Sequence, residues 1–176
     1  QKAAESTEIN PDINIVRVGV TPNAPPLIFK QGKKIIGLEA DFAKELAKYL
    51  GKSLRFVELE WEDQIPALLD NRTDIIMSGM TQTPLREVRI AFTRRYLESG
   101  QMALIRREDS VRFSTGIFSL ATSSGIGVVK NTFGEYFVDE RFSNVNKEIF
   151  SSPQAAVEAV IDKDIDMFIY DAPMIL

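Results

Sequence analysis

The 176-residue chain has no cysteine and no histidine. Their absence removes disulfides, thiol nucleophiles, the usual zinc ligands and the commonest general base together. Any enzyme chemistry would have to run on carboxylates, amines and hydroxyls. No run of about 18 apolar residues occurs, so no segment reads as a membrane-spanning helix. Neither sign of charge dominates: 21 Lys and Arg stand against 25 Asp and Glu, for a net charge of −4. Phosphate binding needs a basic face, which argues against nucleic acid as a partner. What is present is a 44% hydrophobic composition, enough for a core in one domain or two small lobes.

Residues 1–14 are polar, contain Pro11 and lack a signal peptide's apolar centre; they read as a disordered leader of a processed or truncated chain. Residues 13–20, INIVRVGV, predict a first strand that runs into a proline-rich loop at 21–26, with Phe29 at its end as core packing. Leu38, Phe42, Leu46 and Leu50 recur every fourth position, with Ala43 and Ala47 beside them and Gly51 as a stop, which predicts a helix packed by one face on a sheet. A strand at 54–59, a helix at 62–70 with Pro66 in its first turn and a strand at 74–77 follow. The last of these reads as covered on both faces. This β-α-β-α-β order implies a parallel sheet with helices on both faces. After an extended segment at 101–106, the alternation repeats: strand 125–129, helices 132–139 and 153–162, strand 165–170.

Open α/β sheets bind ligands beyond the carboxyl ends of their strands. Loop 21–26, Trp61, residues 78–81, residues 130–133 and Asp171 all fall there. In DIIMSGMTQTPLREVRIAF, residues 74–92, Ser78 and Gly79 bring bare backbone close to a bound molecule, Thr83-Pro84 starts a short helix, and Arg86 falls in its first turn. A guanidinium there can fork onto a carboxylate. The plainer readings are a surface Arg86 paired with Glu87 or Asp63, a turn or cap role for Asp171, a partly buried core position for Trp61, and a capping box from Thr132 to Glu135. Glu39 and Asp41 could form a catalytic carboxylate pair, but they flank a helix start, where the dipole favours acids.

The 74–92 stretch, together with GVTPNAPPLIF at 19–29, IGLEADFAKELAKYLG at 36–51, RRYLESGQMALIRRED at 94–109 and DIDMFIYDAP at 164–173, resembles the family 3 extracellular solute-binding proteins. These are periplasmic amino-acid receptors of ABC importers, related to the ligand-binding core of ionotropic glutamate receptors. The resemblance implies an α/β fold of the periplasmic-binding-protein-like type II, two lobes each with a mostly parallel sheet flanked by helices and joined by a hinge. The implied division is a leader at 1–12, a first lobe at 13–100, a hinge strand at 101–106 and a second lobe at 107–176, incomplete because relatives recross the hinge.

The same resemblance gives Arg86 the ligand's α-carboxylate, Gly79 a carbonyl facing its α-ammonium, and Thr81 a hydroxyl and N–H at the same pole. Thr132 would approach from the second lobe, Asp171 would accept from the ammonium, and Trp61 and Phe133 would form cleft walls. The family's aromatic early in the first loop falls near Ala24, and Phe133 replaces a small hydroxyl residue, which implies an apolar or aromatic wall. The implied function is capture of a small zwitterion, an amino acid, by lobe closure, and its presentation to a membrane ABC permease. It carries no catalysis, cofactor or metal, and implies a monomer outside the cytoplasm, periplasmic or extracellular, with a precursor that could carry a lipid anchor. Alternatives keep the fold: a sensing module of a larger receptor, channel or cell-wall lytic enzyme, or a dehydratase-like enzyme using cleft carboxylates.

Overall fold

The computed structural model describes residues 13–116, 125–142 and 144–175, so the expected leader at 1–12 lies outside the described residues. The first sheet is parallel, with β1 (Ile15–Val20) between β5 (Ser53–Glu58) and β6 (Ile75–Ile76). Central β1 buries Val16, Val18 and Val20, the residues of its alternating pattern. β6 is an edge strand, and Ile75 and Ile76 are only half-buried, not covered on both faces as their apolar run suggested.

Between β1 and the first helix, where the sequence showed only a loop, the chain folds into a small antiparallel sheet of β2 (Asn23–Ala24), β3 (Ile28–Gln31) and β4 (Lys34–Ile36). Ile28 enters the core there, while Phe29 stays half-buried outside it. Two- to four-residue strands carry too short a period to be seen in a sequence.

Helix α1 (Leu38–Tyr49) forms as its periodicity requires, but its buried stripe is Glu39, Ala40, Ala43 and Ala47. Leu38, Phe42 and Leu50 are exposed. Small residues let the helix backbone approach the sheet closely, and Phe42 instead meets Tyr96 edge to face at 5.2 Å. Gly37, at the helix entrance, has φ 119° and sits so close to the 26–27 backbone that a Cβ would fall 2.4 Å from the Leu27 carbonyl oxygen. A 3₁₀ turn (Trp61–Asp63) leads into α2 (Gln64–Leu69), and α3 (Pro84–Glu87) is a single turn with proline at its start.

The second sheet has the order β7-β10-β8-β9, from β7 (Gln101–Ile105), β8 (Ile126–Val129), β9 (Lys147–Phe150) and β10 (Met167–Asp171). β10 runs antiparallel to β7 and parallel to β8. The segment expected to cross between lobes is thus an edge strand of this sheet. Helices α4 (Phe133–Arg141) and α5 (Pro153–Ile161) pack against the sheet, and β8 is buried at every position. Ser152 caps α5, its hydroxyl accepting from the Ala155 N–H. The last described turn, α6 (Ala172–Ile175), carries Met174, which packs against the cores of both sheets. The carboxyl ends of β1, β6, β8 and β10 consequently converge on one cleft.

Candidate functional site

Arg86, only 7% exposed, sits in the single turn α3 that Thr83-Pro84 initiates. One guanidinium nitrogen donates to the Thr81 carbonyl at 2.7 Å and another to the Asn131 carbonyl, across the cleft, at 2.7 Å. Its carbon lies 5.4 Å from the centre of the Trp61 ring, a cation–π geometry. Neither Glu87 nor Asp63 pairs with it; Glu87 accepts from Gln82 instead. Burial is the largest influence on the Arg86 pKa and lowers it, while the charges of Tyr136 and Asp171 act in the opposite direction. An anion arriving here would therefore meet a desolvated cation held only by neutral carbonyls.

The Asn131 carbonyl is shared, because the Trp61 indole N–H also donates to it at 3.0 Å. Asn131 has φ 58°, the left-handed conformation that asparagine tolerates, and this turns its carbonyl back toward the first lobe. Nothing in the sequence singled out Asn131 itself, since a backbone acceptor leaves no side-chain signature. On the same rim Lys130 pairs with Glu62 at 2.7 Å.

Asp171 ends β10 and faces the cleft from the second sheet. Its carboxylate accepts from the Gln101 side-chain amide. Burial raises its pKa, opposed by the Gln101 hydrogen bond and by the charge of Arg86. No cation forms an ion pair with it among the described residues, Arg86 acting on it only through space.

Gly79 has φ 65°, and its N–H donates to the Glu39 carboxylate at 2.6 Å. Glu39, 3% exposed, also accepts from the Tyr96 hydroxyl at 2.5 Å. Burial raises its pKa against the pull of both bonds. Glu39 is therefore no solvated helix-start acid but an internal brace under the 78–81 loop. Asp41 is exposed and pairs with Lys44, which separates the two acids of the carboxylate-pair reading. Thr81 uses its carbonyl on Arg86. Thr132 turns its hydroxyl inward to the Val129 carbonyl at 2.7 Å, and does not cap α4. The expected capping box is half present and displaced by one residue: the Glu135 carboxylate accepts from the Asn131 N–H at 2.7 Å.

Arg86, Thr81, Gly79, Asp171, Thr132, Trp61 and Phe133 all line one small cavity of about 20 Å³, room for roughly one water. Anything much larger than a water enters only if the cavity opens. Gly79, Thr81, Phe133 and Asp171 also border a 460 Å³ cavity that opens past the exposed 93–99 stretch, and Trp61 and Arg86 border another of 260 Å³. Arg86 does not border the 460 Å³ cavity. Arg86 and Asp171 together line only the smallest cavity among the three. Among the described residues no group of three potential metal ligands occurs, and no helix is long and apolar enough to cross a membrane.

Residues 16–171 match the model for bacterial extracellular solute-binding proteins, family 3. A probable histidine-binding protein of Campylobacter jejuni is 28% identical over 167 residues, covering 94% of this chain; the chain spans 63% of that protein's length. Among solved structures, an ancestral amino acid-binding protein described as a precursor of cyclohexadienyl dehydratase superposes with a TM-score of 0.87 at 29% identity, over 92% of this chain and 72% of that one. A binding component of an ABC transporter from Wolinella succinogenes, complexed with lysine, superposes with a TM-score of 0.83 at 29% identity, over 92% and 70%.

Proposed function

The chain belongs to the family 3 bacterial extracellular solute-binding proteins, and from that premise we propose that it captures a small zwitterionic amino acid between its lobes and presents it to an ABC import permease. The observation that carries this reading is the opposition of a buried guanidinium, Arg86, and a half-buried carboxylate, Asp171, across one cavity. Each lacks a full counter-charge, and an α-amino acid supplies both. Its carboxylate would take the place of the Asn131 carbonyl on Arg86, in the bidentate geometry a guanidinium prefers. Gly79, Thr81 and Thr132 would complete the carboxylate and ammonium ends, with Trp61 and Phe133 as walls.

Because Arg86 stands on the first lobe and Asp171 on the second, ligand stabilises the closed arrangement more than the open one. Shifting that equilibrium almost completely needs about a 10⁴-fold preference for the closed form. The permease then reads closure. This places the protein outside the cytoplasm, in keeping with the family, and assigns it no chemistry of its own.

The test is thermal unfolding with each of the twenty amino acids, for the protein and for Arg86→Ala. Ligand at about 100 times its dissociation constant adds about 2.7 kcal/mol, or roughly 5–10 °C for a chain of this size. A rise with some amino acids that vanishes in Arg86→Ala supports the reading. No rise with any of them overturns it. Recovery of a chemically altered ligand would assign an enzyme instead.

A further inference from the structure

We propose that the cleft selects amino acids with an uncharged side chain and turns away cationic ones; this rests on the amino-acid reading above and names its ligand class. Beyond Arg86 and Asp171, which the ligand's α-groups occupy, the enclosed cavity is walled by Thr21, Asn23, Ala24, Ser78, Tyr170 and Met174. None ionises near neutral pH, and burial pushes the Tyr170 phenol further up.

The Thr21 and Ser78 hydroxyls in this wall are already engaged. Thr21 donates to the Leu59 carbonyl at 2.9 Å and accepts from the Gln64 amide at 2.9 Å, and Ser78 accepts from the Thr21 N–H at 2.8 Å. They have little capacity left to replace the water around a cation.

The neighbouring acids are also committed or distant. Glu39 is closed off by Gly79 and Tyr96, and Glu62 faces Lys130 on the outer rim. Glu98 lies on the exposed edge of the larger cavity beside Arg94 and Arg95. In the enclosed cavity the charged lining is Arg86 and Asp171 alone, and the ligand's α-groups take both. A lysine or arginine side chain in this cavity would thus lie without a counter-ion. An acidic side chain finds no second cation inside, because Arg94 and Arg95 are exposed and Arg95 donates to Gln82.

Asn23 gives the test, being half-buried on this wall and isosteric with aspartate. Calorimetric titration of the protein and of Asn23→Asp would use leucine, methionine and glutamine against lysine, arginine and glutamate. The expected result is that a neutral amino acid binds at least tenfold more tightly than any charged one, and that Asn23→Asp moves the ratio toward lysine or arginine by at least tenfold. Charged amino acids binding as tightly as neutral ones would overturn the proposal while leaving amino-acid capture intact. Should Asn23→Asp not fold, the ranking in the unaltered protein decides alone. Binding of none of the six, with no response to any of the twenty in the thermal screen, would overturn both.

Discussion

Glu39→Ala removes a carboxylate that holds the Gly79 N–H at 2.6 Å and the Tyr96 hydroxyl at 2.5 Å. Hydrogen bonds to a charged group contribute about 1.5–3 kcal/mol each in mutational terms, and an orphaned buried N–H adds its own desolvation loss. Against this stands relief from burying a carboxylate, which the raised Glu39 pKa records. A net loss of about 2 kcal/mol remains, or about 4–8 °C in Tm at this chain length. Glu39→Gln keeps an acceptor for Gly79 and offers an amide N–H to the Tyr96 oxygen, so its loss stays under about 1 kcal/mol.

The pH dependence separates the two effects. With its folded pKa above the ordinary 4.5, Glu39 holds more proton in the native state than in the unfolded one. Its contribution is therefore greatest at acidic pH and declines as pH rises through the folded pKa. Glutamine has no such proton, so the deficit of Glu39→Gln relative to the unaltered protein shrinks between about pH 4.5 and neutrality. Calorimetric melting across that range measures it. A Glu39→Ala protein melting within about 1 °C of the original would refute the brace, and a Glu39→Gln deficit that grows with pH would refute the dominance of burial over its two hydrogen bonds.

Three further outcomes are expected. Gly37→Ala forces a Cβ to within 2.4 Å of the Leu27 carbonyl at φ 119° and loses about 3–5 kcal/mol, seen as a fall of roughly 10 °C in Tm. Asp74, whose pKa the Arg17 hydrogen bond holds low, gives stability present above pH 3.8 that is lost as pH falls through its lower folded value. Because this carboxylate is 41% exposed, Asp74→Asn should cost only about 0.5–1 kcal/mol at neutral pH, and that difference should fade on acidification. Asp171→Asn should weaken the favoured amino acid by about 30-fold or more, the loss of one partner of a buried charge pair. In calorimetry it should also abolish preference for that amino acid over its N-acetyl derivative.

The regular elements were legible because each carries its own period: the alternating valines of β1, the four-residue spacing of α1 and the proline that opens α3 all left direct traces. Which face of α1 turns inward was not legible. Leucines outrank alanines on any hydrophobicity scale, yet the close approach of helix to sheet selects Ala40, Ala43 and Ala47. In the candidate site, the side-chain poles Arg86 and Asp171 showed because the 74–92 and 164–173 motifs carry them. The residues that hold them did not. Asn131 works through its carbonyl, Glu39 through a contact 40 positions away in sequence, and Met174 by packing on two cores at once. No local pattern encodes a partner that distant.

The lone tryptophan has a practical consequence. Trp61 lies under the Arg86 guanidinium and donates its indole N–H to a carbonyl of the opposite lobe, so parting the lobes removes at least that bond from the chromophore. Its emission is then an internal gauge of opening, free of any second indole to dilute the signal. Stopped-flow fluorescence of the unlabelled protein can time the hinge directly, with each trace reporting on a single ring at the mouth of the cleft.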